Sequence, residues 1–97
     1  MTEKLIGQVQ MELNRQLGLW GEQNHLDGTG GYDEVLEQAR LDCRQALIYK
    51  CLNWKHILAE EVAEVFNETS PENLKEELIQ VIAVATAWIE CIERRNA

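Results

Sequence analysis

Proline is nearly missing from this chain of 97 residues, with Pro71 the only one. Strand-like alternation of apolar and polar residues is missing as well, so helix is expected to dominate. Cysteine occurs three times, at 43, 51 and 91, an odd number with no C-x-x-C pair. That usage reads as reduced thiols serving as small core residues in a cytoplasm. Basic residues are scarce, 9 against 17 acidic ones, for a net charge of −8. A protein that grips nucleic acid by its backbone needs a basic patch, so nucleic acid is not an expected partner. The longest apolar run, Val81 to Ile89, is broken only by Thr86 and is too short to span a bilayer. No signal-peptide-like segment opens the sequence. A membrane is therefore not an expected partner, and a cytoplasmic location is.

What is present suits one small globular domain over residues 1–97. Apolar residues make up 45%, enough for a modest core. A first helix is expected from about Glu3 to Leu17, because Leu5, Ile6, Val9, Leu13 and Leu17 share about a third of its circumference. Gly18 is placed to stop it, giving an N-terminal helix over 1–18. A polar, glycine-rich loop follows over 19–32. Its segment Asp27-Gly28-Thr29-Gly30-Gly31 lacks the lysine of a P-loop and the alternating acids of an EF-hand. Residues 33–95 read as three helices. Asp33 can cap the first, which ends near Leu52, and Asn53 caps the second, from Trp54 to about Glu68. Ser70 followed by Pro71 starts the last, which runs to about Arg95. The fold class is all-α, a four-helix-bundle-like architecture or half of a larger one. The last helix carries apolar residues around most of its circumference, more than three neighbours can cover, so a homodimer is expected to complete it.

Two carboxylates stand on the wrong side of their helices. On the helix holding Glu61, the residues Ile57, Leu58, Val62 and Val65 all lie within about 100° of it, with Glu64 at the edge of that face. On the last helix Glu77 lies among Leu74, Val81, Val84 and Trp88, with Gln80 beside it. A buried carboxylate must be paired, protonated or bound to a metal. Three carboxylates and an amide oxygen are hard ligands suited to Mg²⁺ or Mn²⁺. The alternatives are solvated side chains at the mouth of a groove, or pairing with Lys50 or an arginine. Lys50 falls on the apolar face of its own helix, where it can reach a phosphate or snorkel to water. Trp54 lies on the Glu61 side, available to stack on a base or to pack in the core. Trp20, Gln23, Asn24 and His25 offer stacking and amide edges to a nucleobase or sugar, or else form a self-bonded loop.

The run Glu60-Glu61-Val62-Ala63-Glu64 resembles the EExxE motif of the MazG-like all-α NTP pyrophosphatases. Glu77-Leu78-Ile79-Gln80 stands where that family has ExxD. The flanks Trp54-Lys55-His56-Ile57-Leu58 and Trp20-Gly21-Glu22-Gln23-Asn24-His25 extend the resemblance, which covers about residues 20 to 94. It implies an all-α NTP pyrophosphatase fold, usually dimeric, that hydrolyses a nucleoside triphosphate to a monophosphate and pyrophosphate with Mg²⁺ or Mn²⁺. By that resemblance Glu61, Glu64 and Glu77 are metal ligands, and Glu60, Glu61 and Glu64 form the catalytic set. Trp20, Gln23, Asn24, His25, Lys50, Trp54 and Gln80 are the candidate substrate contacts. The departure is Gln80, which replaces the family's Asp. It offers a neutral oxygen, holds one negative charge fewer and cannot act as a base. A catalytically weakened or inactive nucleotide-binding module is thus the first alternative, and a structural helical interaction protein the second.

Overall fold

The computed structural model describes residues 1–96. Among these the chain is all-helical, in a bundle-like arrangement of α1 (Glu3–Trp20), α2 (Asp33–Ile48), α3 (Trp54–Asn67) and α4 (Pro71–Arg95). Local chemistry accounts for three of the four starts. The Thr2 hydroxyl accepts from the Leu5 amide at 3.2 Å. Asn53 and His56 form a reciprocal capping box, the Asn53 side chain accepting from the His56 amide and the His56 ring accepting from the Asn53 amide. Ser70 caps α4 with Pro71 in its first turn, and Arg94 and Arg95 sit in its last turn, where a positive charge complements the helix dipole.

Three details differ from the sequence reading. First, α1 does not stop at Gly18 but runs to Trp20. Gly21 takes a positive φ of 67° and its amide donates to the Leu17 carbonyl, ending the helix one turn later. The loop is accordingly shorter. Second, Asp33 does not cap α2. Tyr32 holds the cap position with no side-chain bond. The Asp33 carboxylate instead accepts from the Asn67 amide group at 2.8 Å. Third, α2 ends at Ile48 rather than Leu52, in a Schellman turn. The Cys51 amide donates to the Ala46 carbonyl and the Lys50 amide to the Leu47 carbonyl, with Lys50 in the left-handed position at φ 57°. His56, the capping partner of Asn53, is half-buried.

α3 is the central element. It packs antiparallel against α2 on one side and against α4 on the other, and α2 and α4 do not approach each other closely. The Tyr32 and Phe66 rings meet at 5.9 Å at one end of the α2–α3 pair. The rings of Trp54 and Trp88 stack at 6.4 Å with 9° between their planes, fixing the register of α3 against α4. The end of the glycine-rich loop is tied to α3. The Gly30 amide donates to the Phe66 carbonyl at 2.8 Å, and the Tyr32 amide to the Asn67 side chain at 2.9 Å.

The core is small, formed by Leu5, Leu36, Ala46, Ala63, Val65 and Leu74. No Cα of α1 comes within 8 Å of another helix, and Ile6, Val9, Leu13 and Leu17, the face expected to be buried, are exposed. The molecule is flat, 44 × 41 × 20 Å. Its radius of gyration of 15.8 Å compares with about 12.5 Å for a compact domain of this length. Its accessible surface is 7649 Å², about 2,000 Å² more than a compact monomer of this mass exposes. No described helix is long and apolar enough to cross a membrane.

Candidate functional site

Glu61 and Glu64 are one turn apart on α3, and α4 runs antiparallel beside them, bringing Glu77 to the same place. One carboxylate oxygen from each of the three lies within 4.8 Å of the other two. All three residues are half-buried. The inward face read from the helical wheel is the reason: Ala63 and Val65 anchor α3, Leu74 anchors α4, and the acids lie between these contacts.

The electrostatics are unbalanced. The Oε2 atom of Glu61 is wholly buried and has no hydrogen-bond partner. Burial, then the charges of Glu77 and Glu60, push the Glu61 carboxyl above its ordinary value. Glu64 is pushed up to about 7, first by burial and then by its hydrogen bond to Glu77 and the nearby charges. Among the described residues the cation that pairs with the trio is Arg40, whose Nη2 lies 3.8 Å from Glu64 Oε1. The same guanidinium reaches Glu37 at 3.4 Å through Nη1. One shared arginine does not neutralise three clustered carboxylates. Their hard oxygens, one of them orphaned, are a donor set that fits a divalent cation such as Mg²⁺ or Mn²⁺.

Two cavities flank the trio along the α2–α3 groove. One, of about 150 Å³, is lined by Arg40, Asn67, Glu64 and Glu77 among others. The other, of about 310 Å³, is more apolar and is lined by Cys43, Leu47, Leu52 and Ile57, with Arg44, Glu60 and Glu61 also at its wall. A larger groove of about 710 Å³ lies on the opposite face of α3, floored by Ala39, Ala59 and Ala63.

The remaining sequence candidates are not gathered here. Glu60 is outside the trio, facing α2 beside the Cys43 thiol. Cys43 donates to the His56 carbonyl at 3.1 Å, and its thiol is pushed up to about 11, mainly by burial and then by Glu60. Gln80 is exposed. Lys50 is exposed in the turn after α2 rather than on that helix's apolar face, because the Schellman turn takes it out of the helical register. Trp54 is committed to its stack with Trp88. Trp20, Gln23, Asn24 and His25 are exposed. The Asn24 side chain donates to Glu22 and the His25 ring pairs with Gln23, each at 3.1 Å, so the loop bonds to itself.

Sequence reasoning missed Arg40, Arg44 and Asn67. A signal existed for Arg40, which lies one turn beyond Leu36 at the border of the α2 apolar face. Asn67, the last residue of α3, carries no sequence signal for its position beside the acids. No family model matches the chain, and neither does any curated protein or solved structure.

Proposed function

We propose that this chain is a Mg²⁺- or Mn²⁺-dependent nucleoside triphosphate pyrophosphohydrolase of the MazG-like all-α type, working as a homodimer. The observation that carries the reading is the convergence of Glu61, Glu64 and Glu77 from two helices, with a buried Glu61 oxygen left unpartnered. In the reaction a water oxygen bonds to phosphorus and the bridge between the α- and β-phosphates breaks, giving a monophosphate, pyrophosphate and a released proton. Glu61, Glu64 and Glu77 would hold the cation, which when bound offsets phosphate charge and polarises the phosphoryl group. Glu61 and Glu64 are also the residues that would orient the attacking water, with Glu60 the neighbouring acid. A protein of net charge −8 repels a bare triphosphate, so binding is expected to require the metal.

Support for the dimer comes from the excess surface and from α4. Leu78, Ile82 and Ile89 form one exposed stripe on it, and α1 adds a second exposed apolar face. The test of activity is pyrophosphate release from a panel of ribo- and deoxynucleoside triphosphates with Mg²⁺ or Mn²⁺. Metal-dependent release that disappears in Glu61→Ala is the expected result. No release from any nucleotide would overturn the hydrolase assignment.

The second reading is a nucleotide-binding module without efficient turnover. It is favoured by Gln80, neutral and exposed where the resembling family has an acid. A large gain of hydrolysis in Gln80→Asp would favour it; unchanged hydrolysis would make Gln80 a working variant.

A further inference from the structure

The acids need a counterpart that takes hold of an anion, and the lysine expected for that task is elsewhere. α2 supplies two other cations. Arg40 and Arg44 are four residues apart, so they are neighbours on one side of the helix. Arg40 lines the cavity that contains Glu64 and Glu77. Arg44 lines the cavity that contains Glu60 and Glu61. The two arginines therefore line the two cavities that the acids of the trio also line. Arg40 is partly engaged, at 3.8 Å from Glu64 and 3.4 Å from Glu37, both long for charge-assisted bonds. Arg44 forms no salt bridge among the described residues and is exposed.

We infer that Arg40 and Arg44 form an anion subsite for the phosphates of the ligand. This rests on the metal reading of Glu61, Glu64 and Glu77. A guanidinium presents a planar fork of donors that matches phosphate oxygens, which a lysine does not. Arg44 is free to bind as it stands. Arg40 holds Glu64 only weakly, and a divalent cation on Glu64 competes for the same carboxylate and releases the guanidinium toward phosphate. Arg40 thereby links the two events: it guards the acids while they lack a cation and turns to the anion when they have one. Two of the nine basic residues of this acidic protein would then stand where the polyphosphate lies.

Two ligands are expected to respond differently to loss of Arg40. Mn²⁺ alone, followed by electron paramagnetic resonance, is expected to bind Arg40→Gln as tightly as the parent protein or more tightly, because a competing cation is gone. Inorganic pyrophosphate with excess Mg²⁺, followed by calorimetry, is expected to bind Arg40→Gln and Arg44→Gln about 10- to 100-fold more weakly, the scale of a lost charged hydrogen bond. Lys4→Gln makes the same change in net charge outside both cavities and controls for long-range effects. Pyrophosphate binding unchanged in Arg44→Gln, or weakened equally in Lys4→Gln, would overturn the subsite while leaving the metal reading intact. Parallel loss of Mn²⁺ and pyrophosphate in Arg40→Gln would reduce Arg40 to a structural role and also overturn it. Failure of the parent protein to bind Mn²⁺ would remove the metal reading and the subsite with it.

Discussion

Glu64 and Glu77 bring carboxylate oxygens within 4.8 Å of each other across the α3–α4 interface, where burial first and the neighbouring acids second favour a proton on Glu64. A proton there at neutral pH is a weak substitute for a metal. It ties the stability of the fold to pH.

With Glu64 raised to about 7 from an ordinary carboxylate value, the folded chain binds a proton more tightly than the unfolded chain does. That contribution is complete below the unfolded value and is lost as pH rises through about 7. Glu61 is shifted in the same direction. Glu12, lowered to about 2 by Arg15 and Gln16, acts in the opposite sense and only at acid pH. Without added metal, the thermal midpoint is therefore expected to be about 5 °C lower at pH 8 than at pH 5.5. Glu64→Gln should flatten that slope, and millimolar Mg²⁺ should restore the midpoint at pH 8. A midpoint that climbs from pH 5.5 to 8 without metal would contradict the assignment.

Two positions with positive φ predict stability changes of opposite sign. At Gly30, φ is 101° and an added Cβ would stand 2.9 Å from the Thr69 Cγ2 methyl. Gly30→Ala is expected to cost about 1–3 kcal/mol in urea denaturation. Combining it with Thr69→Ser, which removes that methyl, should recover the steric part only. Lys50 occupies the left-handed position of the Schellman turn without being a glycine. Lys50→Gly should stabilise by about 0.5–1 kcal/mol. A loss on replacing Lys50 would mean that its side chain makes contacts of its own.

The cysteines should separate by reactivity. Cys51 is exposed, whereas Cys43 is half-buried, bonded to the His56 carbonyl, and has its thiol pushed up to about 11. At pH 7.5, iodoacetamide is expected to modify Cys43 about tenfold or more slowly than Cys51, measured by peptide mass spectrometry. Equal rates would show that the α2–α3 contact opens readily.

The exposed α4 stripe predicts the oligomeric state. Ile82 is 54% exposed despite its size and lies between Leu78 and Ile89 on that stripe. Ile82→Asp is expected to convert a dimer to a monomer of lower thermal midpoint in light scattering and calorimetry. A parent protein that is monomeric at high concentration would rule out the proposed assembly.

The helices were legible along the chain because caps and periodicity are local. Asn53, Ser70-Pro71 and the apolar spacing of α3 and α4 each act within a few residues, so the sequence sufficed for them. Ends that depend on hydrogen bonds to distant residues were not. Asp33 turns from capping α2 to meeting Asn67 because the loop is tied to α3. The order of the three acids was legible for a related reason: an inward carboxylate on each of two helices shows in the wheel of either helix alone.

What the wheel cannot supply is depth and neighbours. It puts Gln80 beside Glu77 and Lys50 on an apolar face, but carries no information on which faces meet or where a helix leaves its register. Packing of α3 between α2 and α4 left Gln80 outside, gave Trp54 to Trp88, and placed Arg40 and Arg44 in the cavities that the acids also line. Residue chemistry along the chain thus set the fold class, the element order and the acidic character of the site. The partners of those acids depended on three-dimensional packing, since a charge is neutralised by whatever stands within a few ångströms of it and not by what precedes it in the chain.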